Sequence, residues 1–366
     1  MIRTRSAVLA AVMLQPSTKL HCDLRARSVE EVWDMFVRHD PLISTSLLTR
    51  FAAIEPDVLL RTTERSGARI VIPGDAEWPM QLDDLGETRP WALWFRGHPL
   101  PSERSVAIVG SRSCTNYGER VAAEFAHGVG DAGYSIVSGG AFGIDAAAHR
   151  GALAADAHTV AVLACGVDVA YPAAHSALFE RIVERGTLIS ESPPGAHPTR
   201  PAFLIRNRLI AAMSYGTVVV EARHRSGALS TSRHAVELNR IVMGVPGPIT
   251  SPESSGVHAL IKAGAELVTS ADDVLSLIAP LGSVLGEVVN DTEREWDALS
   301  PTEQLVYEAL PRRQAVGVDS IFTSLTSNVS LPGILGALIG LAQRGLVAEG
   351  FDGTWKRTRA LRGAGA

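Results

Sequence analysis

The 366-residue sequence has only three cysteines, Cys22, Cys114 and Cys165, which lie far apart in the chain. They form no C-x-x-C pair, so the sequence suggests neither a disulfide framework nor a zinc site. Long apolar runs are also missing, because no segment approaches the roughly 20 residues that a membrane-spanning helix needs. These absences predict a protein of the reducing cytoplasm that makes no membrane contact.

A secretion signal is only weakly suggested. Residues 1–18 place two arginines before an apolar run, but that run extends only from Ala7 to Leu14, and no clear small-residue cleavage site follows it. We therefore expect an ordinary N-terminal helix here.

Common nucleotide-binding and metal-binding patterns are missing as well. The P-loop pattern G-x-x-x-x-G-K-[ST] is absent, and residues 110–118 have G-S-R-S-C-T-N-Y-G where a dinucleotide site needs G-x-G-x-x-G. Arg112 stands where the backbone would have to approach a pyrophosphate. His149, His158 and His175 lack the spacing of metal ligands. We predict no NAD site, no NTP hydrolysis, no metal ion and no cofactor.

Positive charge is concentrated in one segment. The net charge is −5, which argues against a uniformly basic nucleic-acid binder but allows a local basic patch. Between Thr199 and Arg240 there are seven arginines against Glu221 and Glu237, a local balance of +5. We expect a polyanion to bind there.

The centre of the chain alternates short β-branched runs with segments of helical length. Near-continuous apolar strands separated by helices predict a parallel sheet covered on both faces, in an extended Rossmann-like, doubly wound α/β domain. We place this domain at residues 71–280, with a packed connector up to about residue 105. The predicted strands are 105–109, 134–137, 159–164, 187–190, 217–221, 241–245 and 266–268.

Smaller regions flank this domain. Residues 1–70 have helical patterns, including a capping-box start at Ser28 with Glu31. A linker is predicted at 280–295. In residues 296–360, three helical segments precede two strands joined by a turn at Asp352-Gly353, which is a winged-helix-like pattern.

Three predicted strand-to-helix junctions carry small residues. Glycines allow close backbone approach, and helix N-termini add partial positive charge, so these junctions together would form an anion cradle. They are Gly110-Ser111-Arg112, Ser138-Gly139-Gly140 within SGGAFGID, and Ser226-Gly227.

Two acids near these junctions are candidates for catalysis. Asp145 at a helix start is better explained as a structural residue. Glu221 at a strand end is the best acid candidate, but an ion pair with Arg223 or Arg225 explains it more simply.

The segment TRPAFLIRNRLIAAMS, residues 199–214, combines an aromatic residue with arginines. An exposed Phe203 could stack on a base while the arginines bind phosphates. Equally, Phe203 could belong to the core and the arginines could be solvated. This segment alone leaves both interpretations open.

In order along the chain, these motifs resemble the DprA/Smf family of DNA-processing proteins. The resemblance covers roughly residues 74–275, through VAIVGSRSCTNYG, VSGGAFGIDAAAHRGAL, VAVLACGVDVAYP, SESPPG, FLIRNRLIA, VVVEARHRSGALSTSRHA, VPGPI and LIKAGAELV. It implies a homodimeric, non-enzymatic protein that binds single-stranded DNA and loads the RecA recombinase onto it during natural transformation. Neither a nucleotide cofactor nor a metal is implied.

The resemblance also implies roles for particular residues. Arg112, which follows Gly110, matches an arginine that grips the DNA backbone, and Arg200 and Phe203 match a cation and a stacking aromatic. The further residues matched to DNA-binding motifs are Ser138, Gly139, Arg206, Asn207, Arg208, Ser226 and Gly227.

The two ends of the chain depart from the family pattern. The first 70 residues show no glycine-rich hairpin, so we do not expect DNA binding there. The third helix of the C-terminal region carries only Arg344 as a cation, which favours a packing or partner role over groove recognition.

Two other classes of protein remain as alternatives. A phosphoribohydrolase-like enzyme on a related sheet would need glutamates after its glycine loop, but residues 225–231 contain no acid. A purely protein-binding adaptor would leave the arginine run unexplained.

A dimer interface is predicted at the end of the sheet domain. From periodicity alone, Leu260, Ile261 and Leu267 would pack inward. The resemblance instead implies that they form the interface of a homodimer.

Overall fold

The computed structural model describes residues 1–13, 23–24, 26–101, 104–279, 299–311, 315–325, 329–350 and 353–358. Residues 1–279 belong to one compact unit, and residues 299–358 belong to a second. Within the described residues, none of the helices is long and apolar enough to cross a membrane.

The first unit is built on a nine-stranded mixed sheet, which confirms the predicted α/β class. The strand order is β1-β2-β6-β5-β4-β3-β7-β8-β9, and β3 to β9 all run parallel to one another. The strands are β1 Arg69–Val71, β2 Leu93–Gly97, β3 Ser105–Val109, β4 Ser135–Ser138, β5 Thr159–Leu163, β6 Thr187–Ser190, β7 Gly216–Val219, β8 Ile241–Gly244 and β9 Glu266–Leu267.

Each of the seven runs predicted as strands forms one, with ends within two residues of the prediction. The helices of this unit are α1 Ile2–Val12, α2 Val29–Val37, α3 Thr45–Ala52, α4 Pro56–Arg65, α5 Asn116–Asp131, α6 Ile144–Ala154, α7 Ser176–Arg185, α8 Arg200–Ala212, α9 Ala228–Glu237, α10 Ser255–Lys262 and α11 Ala271–Ile278.

Alternate residues of the same strands enter two different cores, because side chains of a strand alternate between the faces of the sheet. On β5, Ala161 packs with α1 and α7, whereas Val160 and Val162 pack in the core that contains α8. The sheet is therefore covered on both faces, as the apolar strands predicted.

The sequence prediction missed two strands. The region interpreted as a connector up to residue 105 contains β2, which pairs antiparallel with β6, while β1 pairs with β2. Trp94 on β2 is fully buried, and its indole N–H donates to Thr63 Oγ1 at 3.1 Å. Because α1 and α2 share a core with Trp94, the N-terminal helices pack on one face of the sheet.

The second unit contains three helices and a hairpin, in the predicted order. They are α12 Pro301–Ala309, α13 Val318–Ser324, α14 Leu331–Gln343, β10 Val347–Glu349 and β11 Trp355–Arg357. Tyr307, Leu338 and Trp355 are buried in its core. Gly353 has φ +72°, as a turn requires, while Asp352 and the predicted linker at 280–295 lie outside the described residues.

Candidate nucleic-acid interface

The sheet has a topological switch point between β3 and β7. From β3 the chain proceeds through β4, β5 and β6 on one side, and then returns to β7 on the other side. In open α/β sheets, ligands bind in the crevice at the carboxyl ends of such strands. A cleft of about 540 Å³ lies there, lined by residues from the segments after β3 and β7 and from α8.

The segment after β3 is held against the sheet by buried contacts. A Cβ at Gly110 would collide with the Ile144 side chain and with the Glu221 carbonyl oxygen, so only glycine fits. The Glu221 carboxylate accepts hydrogen bonds from Thr115 N–H at 2.8 Å and Thr115 Oγ1 at 2.6 Å. Glu221 therefore anchors this loop, and the ion pair expected with Arg223 or Arg225 is wrong.

Arg223 instead pairs with Glu253. Arg223 Nε donates to Glu253 Oε1 at 2.6 Å, and Ser111 Oγ donates to Glu253 Oε2 at 2.9 Å. One buried carboxylate thus joins the segment after β3 to the segment after β7. Glu253 lies 142 positions after Ser111 and 30 positions after Arg223, so these two hydrogen bonds fix the two walls of the cleft relative to each other.

Helix α8 begins at the carboxyl edge of the sheet, with Thr199 Oγ1 accepting the Ala202 N–H as its cap. The Arg112 guanidinium lies 4.7 Å from the centroid of the Phe203 ring, in cation–π geometry. The Tyr171 ring lies 5.6 Å from the same ring. Phe203 is half-buried and lines the cleft, so neither the fully exposed nor the core interpretation describes it completely.

Arg206 is buried at the floor of the cleft. Its guanidinium donates to the carbonyl oxygens of Gly139, at 2.8 Å, and of Val162. Burial lowers the pKa of Arg206 to about 10, and the negative charge of Asp145 only partly offsets this effect. Burial also raises the pKa of Asp145, and the positive charge of Arg206 opposes that rise. A Cβ at Gly139 would fall on this guanidinium. Gly139 thus makes room for Arg206.

Two other predicted site residues point away from the cleft. Arg208 is buried and forms an ion pair with Glu191 at 2.8 Å, and its Nε donates to the Thr88 carbonyl. Ser138 is fully buried, and its hydroxyl donates to the Ile108 carbonyl at 2.6 Å.

The segment after β7 supplies the N-terminus of α9. Ser226 Oγ accepts the Ala228 N–H at 3.3 Å, and Asn207 Nδ2 donates to the Gly227 carbonyl at 3.2 Å. A Cβ at Gly227 would meet open space, so the backbone there faces the cleft unobstructed.

Eight of the eleven predicted binding residues line the cleft, and six further polar residues that were not among the eleven also line it. Helical spacing alone places Arg200, Phe203 and Asn207 on one face of α8. Those predicted are Gly110, Arg112, Arg200, Phe203, Arg206, Asn207, Ser226 and Gly227, and those missed are Ser111, Ser113, Asp145, Arg223, Arg225 and Thr231.

Three exposed guanidinium groups line this cleft without an ion-pair partner among the described residues, namely those of Arg112, Arg200 and Arg225. The Arg112 charge also acts on the carboxylate of Asp145. By contrast, Arg206 lies near Asp145, and Arg223 is paired with Glu253. The cleft therefore combines three positive charges with a helix N-terminus and one aromatic ring, an arrangement that binds anions.

The three histidines His149, His158 and His175 are built into the fold. His149 Nδ1 is 2.8 Å from Thr159 Oγ1, and burial lowers the His149 pKa to about 3. His158 contacts Thr187 Oγ1 at 3.1 Å, and His175 Nδ1 lies 3.0 Å from the Gly140 carbonyl. Among the residues described, no group of three or more metal-binding side chains occurs.

The predicted interface residues differ in exposure. Leu260 and Ile261 are partly buried against the core that contains Val257. Leu267 is 52% exposed on β9, the last strand of the sheet order.

This fold defines a protein of the doubly wound, Rossmann-like class, with a cleft rich in arginine at its switch point. A family model described as DNA recombination-mediator protein A matches residues 69–279. The putative DNA processing protein DprA of Mycobacterium tuberculosis is 44% identical over 316 residues, which cover 82% of this chain and 80% of that protein. The chain therefore belongs to the DNA recombination-mediator protein A family, also called DprA/Smf.

Two solved structures agree with this assignment. DNA processing protein A of Streptococcus pneumoniae matches with a TM-score of 0.62 and 30% identity, covering 76% of this chain and 96% of that one. The Helicobacter pylori protein, whose structure was described for its unique single-stranded DNA binding mode, matches with a TM-score of 0.52 and 27% identity, covering 58% and 96% of the two chains.

Proposed function

We propose that this chain binds single-stranded DNA in the cleft between β3 and β7 and loads the RecA recombinase onto that strand during natural transformation. The observation that carries the proposal is that three guanidinium groups without an ion-pair partner line the same cleft as the aromatic ring of Phe203. Cations beside an aromatic ring suit a strand whose phosphates and unstacked bases are both accessible.

The size of the cleft favours a single strand over a duplex. A volume of about 540 Å³ is in the range that holds a small ligand, and hence a nucleotide. A duplex would have to rest on the rim, with its bases out of reach. The relative from Helicobacter pylori, described as a single-stranded DNA binder, supports the same assignment.

In this proposal the protein acts by binding, without a catalytic step, in the cytoplasm where RecA and incoming DNA meet. The acids near the cleft support this view because each already has a partner. Glu221 holds Thr115, Glu253 holds Ser111 and Arg223, and the remaining acid, Asp145, accepts the Ala141 N–H at 3.3 Å. RecA loading is inferred from family membership.

The test compares single-stranded and double-stranded oligonucleotides of equal length across a salt series. We expect tighter binding of the single strand, with an affinity that falls as salt rises, because bound phosphates release counterions. Equal affinity for duplex, or no dependence on salt, would contradict the proposal. Release of a free base from nucleoside monophosphates would instead support a phosphoribohydrolase-like enzyme.

We also propose a homodimer formed around β9, to which Leu267, Leu260 and Ile261 contribute. Edge strands with exposed apolar side chains favour a covering partner. Leu267→Arg is the most direct test, because that side chain is already half exposed and the fold should tolerate the change. We expect a dimer for the wild type and a folded monomer for the variant in light scattering. A monomeric wild type at micromolar concentration would contradict the proposal.

A further inference from the structure

We propose that Tyr171, whose ring contacts Phe203, provides a second base-stacking surface next to the cleft. The inference rests on the proposed binding of single-stranded DNA and adds a specific residue to it. It also addresses a difficulty that the geometry raises for Phe203.

Phe203 is already engaged on its ring face. The Arg112 guanidinium lies over that face at 4.7 Å from the centroid, and the Tyr171 ring leans against Phe203 at 50° between the ring planes. A base could stack on the covered face only by displacing Arg112. Tyr171 is 45% exposed, so it offers ring surface that a base can contact without displacing a protein group.

The loop that carries Tyr171 is firmly held. Both carboxylate oxygens of Asp168 accept the Gly195 N–H, at 2.8 and 3.0 Å, and Cys165 Sγ donates to the Val169 carbonyl at 3.2 Å. Cys165 is buried in the core, and Val169 packs against it. The Tyr171 backbone is thereby positioned before DNA arrives, which lowers the ordering cost of stacking.

The cations of the cleft complete the site. Arg112 lies over Phe203, the ring that Tyr171 contacts, and Arg200 lines the same cleft as Phe203, so each can contact a phosphate while the neighbouring base lies on an aromatic ring. Stacking uses the π-face of the ring and not the phenol hydroxyl. A phenylalanine at position 171 should therefore replace tyrosine, whereas an aliphatic residue should not.

The experiment measures the affinity of the full chain for a fluorescent oligothymidine of about 12 nucleotides. Loss of a stacked base, worth about 1–3 kcal/mol, corresponds to about 5-fold to 150-fold weaker binding for Tyr171→Ala. Tyr171→Leu keeps apolar bulk and should show a similar loss, and Tyr171→Phe should bind like the wild type. Tyr215 lies just before β7, at the amino ends of the parallel strands and away from the cleft. Tyr215→Ala is therefore the control and should leave the affinity unchanged.

Two further measurements separate stacking from other roles. Stacking neutralises no phosphate, so the salt dependence of binding should be the same in Tyr171→Ala and the wild type. An oligonucleotide with abasic positions should bind more weakly than oligothymidine to the wild type, and this difference should shrink in Tyr171→Ala.

Affinity within twofold of the wild type for both Tyr171→Ala and Tyr171→Leu would overturn the inference. An equal loss in Tyr171→Phe, or a weaker salt dependence in Tyr171→Ala, would also overturn it, because the residue would then act through its hydroxyl or by positioning Arg112. If the wild type itself fails to prefer single-stranded DNA, the proposed function fails instead.

Discussion

Arg225 and Arg223 are two residues apart at the rim of the cleft, yet the structure predicts different consequences of removing each. Arg225 is exposed and has no carboxylate partner among the described residues, whereas Arg223 is paired with Glu253 at 2.6 Å. A phosphate that contacts Arg225 releases a counterion, but a phosphate at Arg223 would first have to displace Glu253. Only Arg225→Ala should therefore reduce the salt dependence of DNA binding.

The magnitude follows from the number of unpaired guanidinium groups. Three phosphate contacts, at about 0.7 log unit of affinity each per log unit of salt, give a slope of about −2 for one cleft. Between 50 and 200 mM salt the wild type should lose about 20-fold in affinity, and a cleft with two contacts about 7-fold. Arg225→Ala should thus be weaker at low salt and less sensitive to salt.

Fluorescence anisotropy with a labelled oligothymidine, at four or more salt concentrations, measures this slope for each variant. Arg223→Ala should keep a slope near that of the wild type. Arg181→Ala removes an exposed arginine on α7, outside the cleft lining, and serves as the matched control. If Arg225→Ala retains the wild-type slope, or Arg223→Ala loses as much of it, the division into paired and unpaired arginines is incorrect.

Two other changes test the site and the fold. Phe203→Ala should weaken single-stranded DNA binding at all salt concentrations, because it removes a ring of the cleft that also contacts Arg112 and Tyr171. Unchanged anisotropy titrations in a folded variant would contradict this role. Burial lowers the pKa of His149 to about 3 and that of His158 to about 4, below the ordinary value of about 6.5, so the unfolded chain binds protons that the folded chain does not. Above pH 6.5 both histidines are neutral in the folded and in the unfolded chain, so neither lowers the free energy of unfolding. Below pH 6.5 each histidine should lower the free energy of unfolding by about 1.4 kcal/mol per pH unit. This loss should level off near pH 4 for His158 and near pH 3 for His149. Urea unfolding at pH 7, 6 and 5 should show a shallower pH dependence in His158→Asn, and identical slopes would refute the assignment.

The sequence predicted the central sheet well because buried parallel strands are distinctive. The runs at β3, β5 and β7 are apolar on both faces, and helix-length segments separate them. Strand β2 was missed because a tryptophan- and proline-rich neighbourhood masked a run of only five residues. Its pairing with β6 joins segments about 90 residues apart, which local pattern does not reveal.

The arginines of α8 show where sequence reasoning was less successful. A matched motif treated Arg206 and Arg208 alike, although residues two apart on a helix point in different directions. The structure places Arg206 under the cleft and pairs Arg208 with Glu191, so both guanidinium groups are used by the fold. Whether an arginine is available to a ligand depends on acids that are distant in sequence.

The buried acids around the cleft raise the question of why an anion-binding site contains them. Glu221 and Glu253 each accept two hydrogen bonds from the loops that form the walls, and Asp145 lies near the buried guanidinium at the floor. Glu253 is neutralised by Arg223, and the carboxylate of Glu221 is held by hydrogen bonds from Thr115, so both acids shape the loops of the cleft. Replacing Glu253 by Ala would therefore not strengthen DNA binding by removing a negative charge. It would remove the carboxylate to which both Ser111 and Arg223 donate, and thereby loosen the two walls of the cleft.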